Sequence, residues 1–199
     1  MLNDIIVDED FLTPEEITEL HNCMVMGTTF ENRYVFDSDT QIGNEDNSIS
    51  VIRGEEFSGS PQVCMQGQQD GVVFNAPFDA YAKSLLAKFA IKHLVPVKNI
   101  LRTKTTVTFP KLDSLPDYAH VDYETPGRVL IIYVNDSDGD TILYNEKYTG
   151  EKVSELTERI RVSPKAGKAV MFDNFIYHAA SNPASTPFRQ IINMNFTTL

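Results

Sequence analysis

Three residues in the C-terminal half of the chain have the types and spacing of metal ligands. His120 and Asp122 are separated by one residue, so in a strand both side chains point to the same side and can bind one metal ion. With His178 they would give two imidazoles and one carboxylate, a set typical of non-haem iron(II) with three open positions. The same ligands and a water molecule would suit a zinc hydrolase. A hydrogen-bonded pair at a strand end would need no metal.

A fourth candidate, Arg189, opens an apolar strand near the C-terminus. Side chains alternate along a strand, so one face carries Arg189, Ile191, Asn193 and Asn195, and its guanidinium and two amides suit an enclosed polar site. A guanidinium binds a carboxylate through two parallel charged hydrogen bonds. Arg189 is therefore a candidate for binding a carboxylate ligand. The alternative is an edge-strand arginine paired with a surface acid.

The elements that must position these residues are short strands. From residue 101 onward the sequence predicts eight of them: Arg102–Phe109, Tyr118–Asp122, Arg128–Val134, Thr141–Tyr144, Ile160–Ser163, Ala169–Phe172, Ile176–Ala179 and Arg189–Phe196. So many short strands in so few residues indicate a two-sheet jelly roll or barrel. Such a fold brings sequence-distant strands together at one mouth, where His178 can join His120 and Asp122.

Residues 1–100 are predicted to be a region of helices and loops. Thr13-Pro14-Glu15-Glu16 has the pattern of a capped helix start, and this helix is expected to run to about Met24. Helical spacing of apolar residues predicts a second helix over Pro77–Leu94. Between them lies the polar segment Asp37–Gly71, broken by a candidate short strand at Ile49–Ile52. The first eight residues precede the first helix, so their removal is expected to be mild.

Length and composition indicate one domain, residues 1–199. The chain has 42% hydrophobic and 23% charged residues, which is ordinary for a globular protein. The longest strongly apolar run, Val129–Val134, is far shorter than a membrane span, and the N-terminus lacks the basic and apolar segments of a secretory signal. Cys23 and Cys64 fit reduced thiols better than a disulfide framework. We therefore expect a cytoplasmic protein without a membrane partner.

The charge distribution opposes one class of partner. A formal net charge of −11 makes the chain a poor counterion for phosphates, so no nucleic-acid partner is expected. Residues 80–112 are the exception, with seven bases and no acid. We expect these bases to lie on a helix and a strand, facing water or the acidic N-terminal part.

Taken together, these residues resemble the iron(II)/2-oxoglutarate-dependent oxygenases, and within them the prolyl-4-hydroxylase-like branch. The resemblance covers about residues 101–196, which would form the jelly-roll oxygenase core. It rests on the order and spacing of five features: His120-Val-Asp122, Asp138-Gly-Asp-Thr141, Val162–Phe172, His178 and Arg189. It implies a mainly β fold with flanking helices, namely a double-stranded β-helix (a cupin-like jelly roll) with the N-terminal helices packed on one sheet.

The resemblance also implies a role for individual residues. The residues that would bind Fe(II) are His120, Asp122 and His178. Arg189 would bind the distal carboxylate of the cosubstrate 2-oxoglutarate, Tyr133 would hydrogen-bond the same carboxylate, and Thr141 and Leu143 would line the cosubstrate pocket. Candidates for contact with the substrate flank the iron motif or share the strand of Arg189: Tyr118, Tyr123, Arg128, Asn193 and Asn195.

The implied activity is hydroxylation of a peptide or small-molecule substrate. It consumes O2 and 2-oxoglutarate and yields succinate and CO2, and it allows ascorbate as a reductant. Asp122 favours hydroxylation, because halogenating relatives lack the carboxylate ligand. Leu143 and Ile191 replace the branch's usual Phe and Ser, which leaves the prolyl substrate open. The rival to an enzyme is a non-enzymatic jelly-roll module for binding or structure, which would explain the strands and leave the four-residue constellation to chance.

Overall fold

The computed structural model describes residues 4–25, 35–37, 51–52, 55–113, 115–151 and 153–198. Two helices are present in these ranges, α1 (Pro14–Met24) and α2 (Ala76–His93). They accompany thirteen strands: β1 (Ile5–Asp8), β2 (Val35–Asp37), β3 (Val51–Ile52), β4 (Gln62–Gln69), β5 (Val72–Val73), β6 (Ile100–Thr108), β7 (Ala119–His120), β8 (Arg128–Tyr133), β9 (Thr141–Lys147), β10 (Glu158–Val162), β11 (Ala169–Asp173), β12 (Ile176–Ala180) and β13 (Arg189–Phe196).

The strands form two antiparallel sheets. The larger sheet has the order β1-β11-β8-β13-β6-β4-β2, with β5 paired to β4, and the smaller has the order β10-β9-β12-β7-β3. Val129, Ile131 and Tyr133 of the larger sheet pack against Leu143 and Ile176 of the smaller one in a buried cluster between them. This arrangement confirms the predicted fold class, a mainly β jelly roll with flanking helices.

Strand β13 lies in the middle of the larger sheet and carries one face of the site. It pairs with β6 on one side and with β8 on the other, and all of its residues are buried. Ile192 and Met194 pack in the cluster that the helices cover. Because side chains alternate, Arg189, Asn193 and Asn195 face the smaller sheet instead. The alternation predicted from the sequence is confirmed.

Both predicted helices are present, and each begins at a side-chain cap. In α1 the Thr13 hydroxyl accepts from the backbone N–H of Glu16 at 3.4 Å, and the Glu16 carboxylate accepts from that of Thr13 at 2.8 Å. Helix α2 begins after Asn75, whose side chain accepts from the N–H of Phe78 at 3.1 Å. Neither helix is long and apolar enough to cross a membrane.

The lysines of α2 pair with acids from the N-terminal part of the chain. Lys88 pairs with Glu16 of α1, and Lys92 lies 2.8 Å from the carboxylate of Asp8 in β1. The ring of His93 also contacts Asp8, at 2.7 Å. These contacts fasten α2 to the N-terminal elements, as expected for the helical half of the basic segment, whereas Arg102 pairs with Asp122 of the C-terminal half instead.

Four strands, β1, β2, β4 and β5, were not predicted from the sequence. Strand β4 lies within the polar segment and pairs with β6 along most of its length, although its residues show no apolar alternation. Strand β1 pairs with β11 from Ile5 to Asp8 and forms an edge of the larger sheet. The first eight residues therefore include part of the fold, and the expectation of a mild effect on their removal does not fit the structure. Of the candidate strand Ile49–Ile52, residues 51 and 52 form β3 and the other two lie outside the described residues.

Candidate metal centre and carboxylate pocket

The smaller sheet brings the three candidate metal ligands together. His120 on β7 and His178 on β12 are direct register partners, and their ring centroids are 4.5 Å apart. Asp122 follows β7 directly along the chain. The ligand atoms of the three residues all lie within 4.8 Å of one another. This cluster has the size of a single metal site, in agreement with the grouping expected from the sequence.

Backbone carbonyls orient both imidazole rings. The Nδ1 atom of His120 lies 2.9 Å from the carbonyl oxygen of Tyr118, and Nδ1 of His178 lies 3.2 Å from that of Ile176. A carbonyl oxygen only accepts, so each Nδ1 carries the proton and donates it. The lone pair of each Nε2 is then left for a metal ion, which is the usual arrangement of histidine ligands.

Asp122 is the most strongly held of the three. Its side chain is 5% exposed, and the Arg102 guanidinium lies 2.7 Å from its Oδ1 atom. The amides of Asn193 and Asn195 donate to Oδ2 at 3.0 and 2.9 Å. Burial alone would raise the pKa of Asp122, but Arg102 and the two nearby histidines hold that pKa well below its ordinary value. The carboxylate is therefore ionised, as a metal ligand must be.

The two histidines have opposite tendencies to bind protons. Burial and the neighbouring His120 lower the pKa of His178 to about 4, so its ring is neutral at neutral pH. Burial also acts to lower the pKa of His120, but the adjacent Asp122 carboxylate outweighs it and raises that pKa above 6.5. Protons and metal therefore compete mainly at His120.

A second polar group lies close by, where Arg189 meets the smaller sheet. The Arg189 side chain donates to the hydroxyl of Thr141 at 2.7 Å, and the Tyr133 hydroxyl donates to the same oxygen at 2.8 Å. Leu143 is fully buried and is the register partner of His178, which joins this group to the metal residues. The four residues expected to form a cosubstrate pocket are thus brought together.

Arg189 is a buried cation with an unused hydrogen-bond donor. The residue is 2% exposed, and its Nε atom has no hydrogen-bond partner. Among the residues that the structure describes, the guanidinium forms no ion pair within 4.0 Å, and the carboxylates of Asp117 and Asp140 act on it from farther away. A buried charge without a direct partner is costly, and an incoming carboxylate would supply one. Burial lowers the pKa of Arg189, but an arginine keeps its proton in proteins.

The turn before β9 is shaped to fit the Arg189 side chain. A Cβ at Gly139 would lie 3.1 Å from Cδ of Arg189 and 2.8 Å from the carbonyl oxygen of Ser181, so only glycine fits there. Next to it, the Asp138 carboxylate accepts from the backbone N–H groups of residues 184 to 186. Asp138 therefore holds the loop that leads to Arg189.

The five residues expected to contact substrate are placed differently from one another. The amides of Asn193 and Asn195 reach the metal group, where they bind Asp122. The Tyr123 ring lies 5.6 Å from the Arg102 guanidinium, beside the same group. Contact with substrate stays a prediction for these three residues.

The other two residues expected to contact substrate lie against apolar clusters. The Tyr118 side chain packs against the cluster that contains Val121 and Tyr177, and its contact with substrate stays a prediction. Arg128 alternates with Val129 and so shares the face of Leu130, which packs under the helices, away from the metal residues.

Arg102 is a site residue that was not predicted from the sequence. It was assigned only to the basic segment, although it lies on β6 and is the register partner of Asn195. Arg102, Lys104, Thr106 and Thr108 alternate along this strand, so one face is polar throughout. That alternation, next to a polar face on β13, was the available indication of a role inside the barrel.

Comparisons with known proteins give a fold but no close relative. No family model matches the sequence, and no curated protein sequence matches it. Among solved structures, an oxidoreductase of the 2OG-Fe(II) oxygenase family from Burkholderia pseudomallei is similar with a TM-score of 0.63. It is 8% identical, and the alignment covers 98% of this chain and 85% of that one.

Two further structures with bound ligands are similar. The epimerase SnoN, solved in complex with Fe3+, alpha ketoglutarate and nogalamycin RO, has a TM-score of 0.59 at 14% identity, with 99% and 80% of the two chains covered. A prolyl hydroxylase from Trichoplax adhaerens, in complex with a hypoxia inducible factor peptide fragment, has a TM-score of 0.53 at 13% identity, with 98% and 84% covered. The chain therefore has the double-stranded β-helix fold of the 2OG-Fe(II) oxygenases.

Proposed function

We propose that this protein is an Fe(II)/2-oxoglutarate-dependent dioxygenase that hydroxylates a peptide or a small molecule. The observation that carries the proposal is the conjunction of two groups inside one barrel. One is the ligand set His120, Asp122 and His178, and the other is the buried Arg189, which has no carboxylate partner in the described part of the chain. Leu143 links the two groups, since it is the register partner of His178.

The residues present fit both the metal and the cosubstrate. Two imidazole Nε2 atoms, each with a free lone pair, and one ionised carboxylate form the donor set that non-haem Fe(II) binds. They leave coordination positions open for other ligands. The unpartnered Nε of Arg189 is a donor that a carboxylate would satisfy. A zinc hydrolase would use the first group and leave the Arg189 pocket without a purpose. A binding module would leave both groups without one.

Each residue has a definite task in the proposed reaction. Arg189 binds the distal carboxylate of 2-oxoglutarate through charged hydrogen bonds. Tyr133 keeps its proton, because burial raises its pKa to about 12, and in the complex its single O–H would donate to the carboxylate in place of Thr141. Leu143 and Ile191, both in the buried cluster between the sheets, exclude water from this end of the pocket.

The chemistry itself comes from the bound groups. When bound, Fe(II) and 2-oxoglutarate supply an oxidative decarboxylation in which O2 is reduced, 2-oxoglutarate becomes succinate and CO2, and one oxygen atom is inserted into a substrate C–H bond. The protein contributes position and enclosure. Asp122 favours hydroxylation over halogenation, because its carboxylate occupies the position that a halide would need. The two similar structures with a bound peptide and bound nogalamycin RO support a peptide or a small molecule as the substrate class.

The test is metal content together with turnover of the cosubstrate. Protein reconstituted anaerobically with Fe(II) is expected to hold one equivalent and, in air, to release succinate from 2-oxoglutarate, slowly without substrate and faster with it. His178→Ala is expected to fold but to lose both properties. His21→Ala is the matched control, because His21 is an exposed residue of α1 outside the site. Tight zinc binding without succinate release would favour the hydrolase, and no metal binding would favour the module.

A further inference from the structure

The Asp122 carboxylate has most of its acceptor positions already occupied. A carboxylate offers about four lone-pair positions, two on each oxygen. Oδ2 accepts from the amides of Asn193 at 3.0 Å and Asn195 at 2.9 Å, which uses both of its positions. Oδ1 lies 2.7 Å from Nη2 of Arg102, which uses one. A single position, on Oδ1, is left for a metal ion.

The donors around Asp122 also hold one another in place. Arg102 and Asn195 are register partners on β6 and β13, and the Nε of Arg102 donates to the Oδ1 of Asn195 at 3.0 Å. Arg102, Asp122 and Asn195 therefore form a closed ring of contacts. Asn195 is fully buried, and Arg102 is largely so. Because both donors stand on paired central strands, the carboxylate has little freedom to rotate.

We propose that Arg102, Asn193 and Asn195 are positioning residues that limit Asp122 to one metal bond, made by Oδ1. This inference rests on the proposed function. Oδ1 lies 3.7 Å from Nε2 of His120, and Oδ2 lies 4.0 Å from Nε2 of His178, so the assignment to Oδ1 rests on the two amides that occupy Oδ2. One oxygen and two nitrogens fill three octahedral positions, and three remain. A second bond from Oδ2 would occupy a position that 2-oxoglutarate and O2 together require.

Asn193 allows a clean test, because one contact can be removed with little else. Its Nδ2 donates to Asp122, while its Oδ1 has no hydrogen-bond partner. Asn193→Leu keeps the branched shape of the side chain and removes the donor, which frees one position on Oδ2. Wild type and this variant therefore differ chiefly in the donor.

The measurement is the number of water molecules bound to Mn(II) in the protein, obtained from water-proton relaxation without oxygen. With wild type we expect about three waters, and with Asn193→Leu about two, because Asp122 then binds through both oxygens. Saturating 2-oxoglutarate, which takes two positions, is expected to leave about one water in wild type and none in the leucine variant. This readout does not depend on catalytic activity.

Two outcomes would overturn the inference. Two waters in the wild type would show that Asp122 already binds through both oxygens, and this count needs no variant. An unchanged count in folded Asn193→Leu would show that the amide does not restrain Oδ2. A wild type that binds no Mn(II) would instead contradict the proposed metal centre, and the inference with it.

Discussion

Arg189 and Thr141 lie on different sheets and are joined by a hydrogen bond of 2.7 Å between the guanidinium and the threonine hydroxyl. The same hydroxyl accepts from Tyr133 at 2.8 Å, so one oxygen ties a strand of the smaller sheet to two strands of the larger. The contact closes the barrel at the end where the buried cation lies.

Replacement of Arg189 is expected to separate cosubstrate binding from metal binding. Arg189→Ala removes a pair of charge-assisted hydrogen bonds, a loss of about 2–4 kcal/mol, or about 30- to 1000-fold in affinity for 2-oxoglutarate. Arg189→Lys should recover part of this, since it keeps the charge and loses the planar fork. Calorimetric titration of the Mn(II)-loaded proteins with 2-oxoglutarate measures this affinity for wild type and for each variant. Equal affinity in Arg189→Ala and wild type would remove Arg189 from the cosubstrate site.

Replacement of Thr141 is expected to lower stability, because two buried groups donate hydrogen bonds to its hydroxyl oxygen. Thr141→Val leaves the Arg189 group and the Tyr133 hydroxyl without their shared acceptor, which should cost about 1–3 kcal/mol of unfolding free energy. Thr141→Ser keeps the oxygen and is the matched control. Denaturant unfolding of the metal-free proteins compares the two. If the valine variant is as stable as the serine variant, the hydroxyl does not hold the sheets together.

Acid is expected to weaken metal binding through His120 before His178. The pKa of His120 is raised above 6.5 and that of His178 is lowered to about 4, so His120 takes the competing proton first. The affinity for Mn(II) should begin to fall at a pH above 6.5, by up to about tenfold per pH unit for a single competing proton. Electron paramagnetic resonance of free Mn(II), followed from neutral pH down to pH 5, gives the dissociation constant at each pH. An affinity that stays constant down to pH 5 would contradict this assignment of the protons.

The contacts of Asp8 predict a second, independent dependence on pH. Burial would raise the pKa of Asp8, but Lys92 and His93 outweigh it and lower that pKa below 3.8. A lowered folded-state pKa stabilises the protein above 3.8, and this stabilisation is lost as the pH falls through the folded value. Asp8→Asn should therefore cost about 1–3 kcal/mol at pH 7 and less below pH 3.8. Asp10→Asn, an exposed neighbour, is the control. A cost that is the same at both pH values would exclude the ion pairs as its cause.

Local patterns in the sequence predicted the parts of the fold that depend on neighbouring residues. The Thr13 and Glu16 caps gave the start of α1, and the alternation from Arg189 to Phe196 gave the two faces of β13. Strand β4 was missed, because its apolar side chains do not alternate and its pairing with β6 is a long-range contact. Periodicity indicates an element when one of its faces is apolar, and β4 does not meet that condition.

The site was predictable as a set of residues but not as a set of contacts. The spacing of His120 and Asp122 predicted that both could face one metal, and the structure brings His178 to them. Asn193 and Asn195 were expected to meet substrate, yet both amides bind Asp122. A strand pattern gives the face on which a side chain lies. It does not give the group that reaches it from another strand, and so Arg102 was also missed.

The most direct test of the proposed oxygenase is an anaerobic titration of the Fe(II)-loaded protein with 2-oxoglutarate. Chelation of the metal by the keto and adjacent carboxylate oxygens gives a weak metal-to-ligand charge-transfer band in the visible region. We expect this band to develop and to saturate at one equivalent of 2-oxoglutarate in the wild type. In His178→Ala it should be absent. A wild-type protein that holds Fe(II) and shows no such band at saturating 2-oxoglutarate would contradict the proposal.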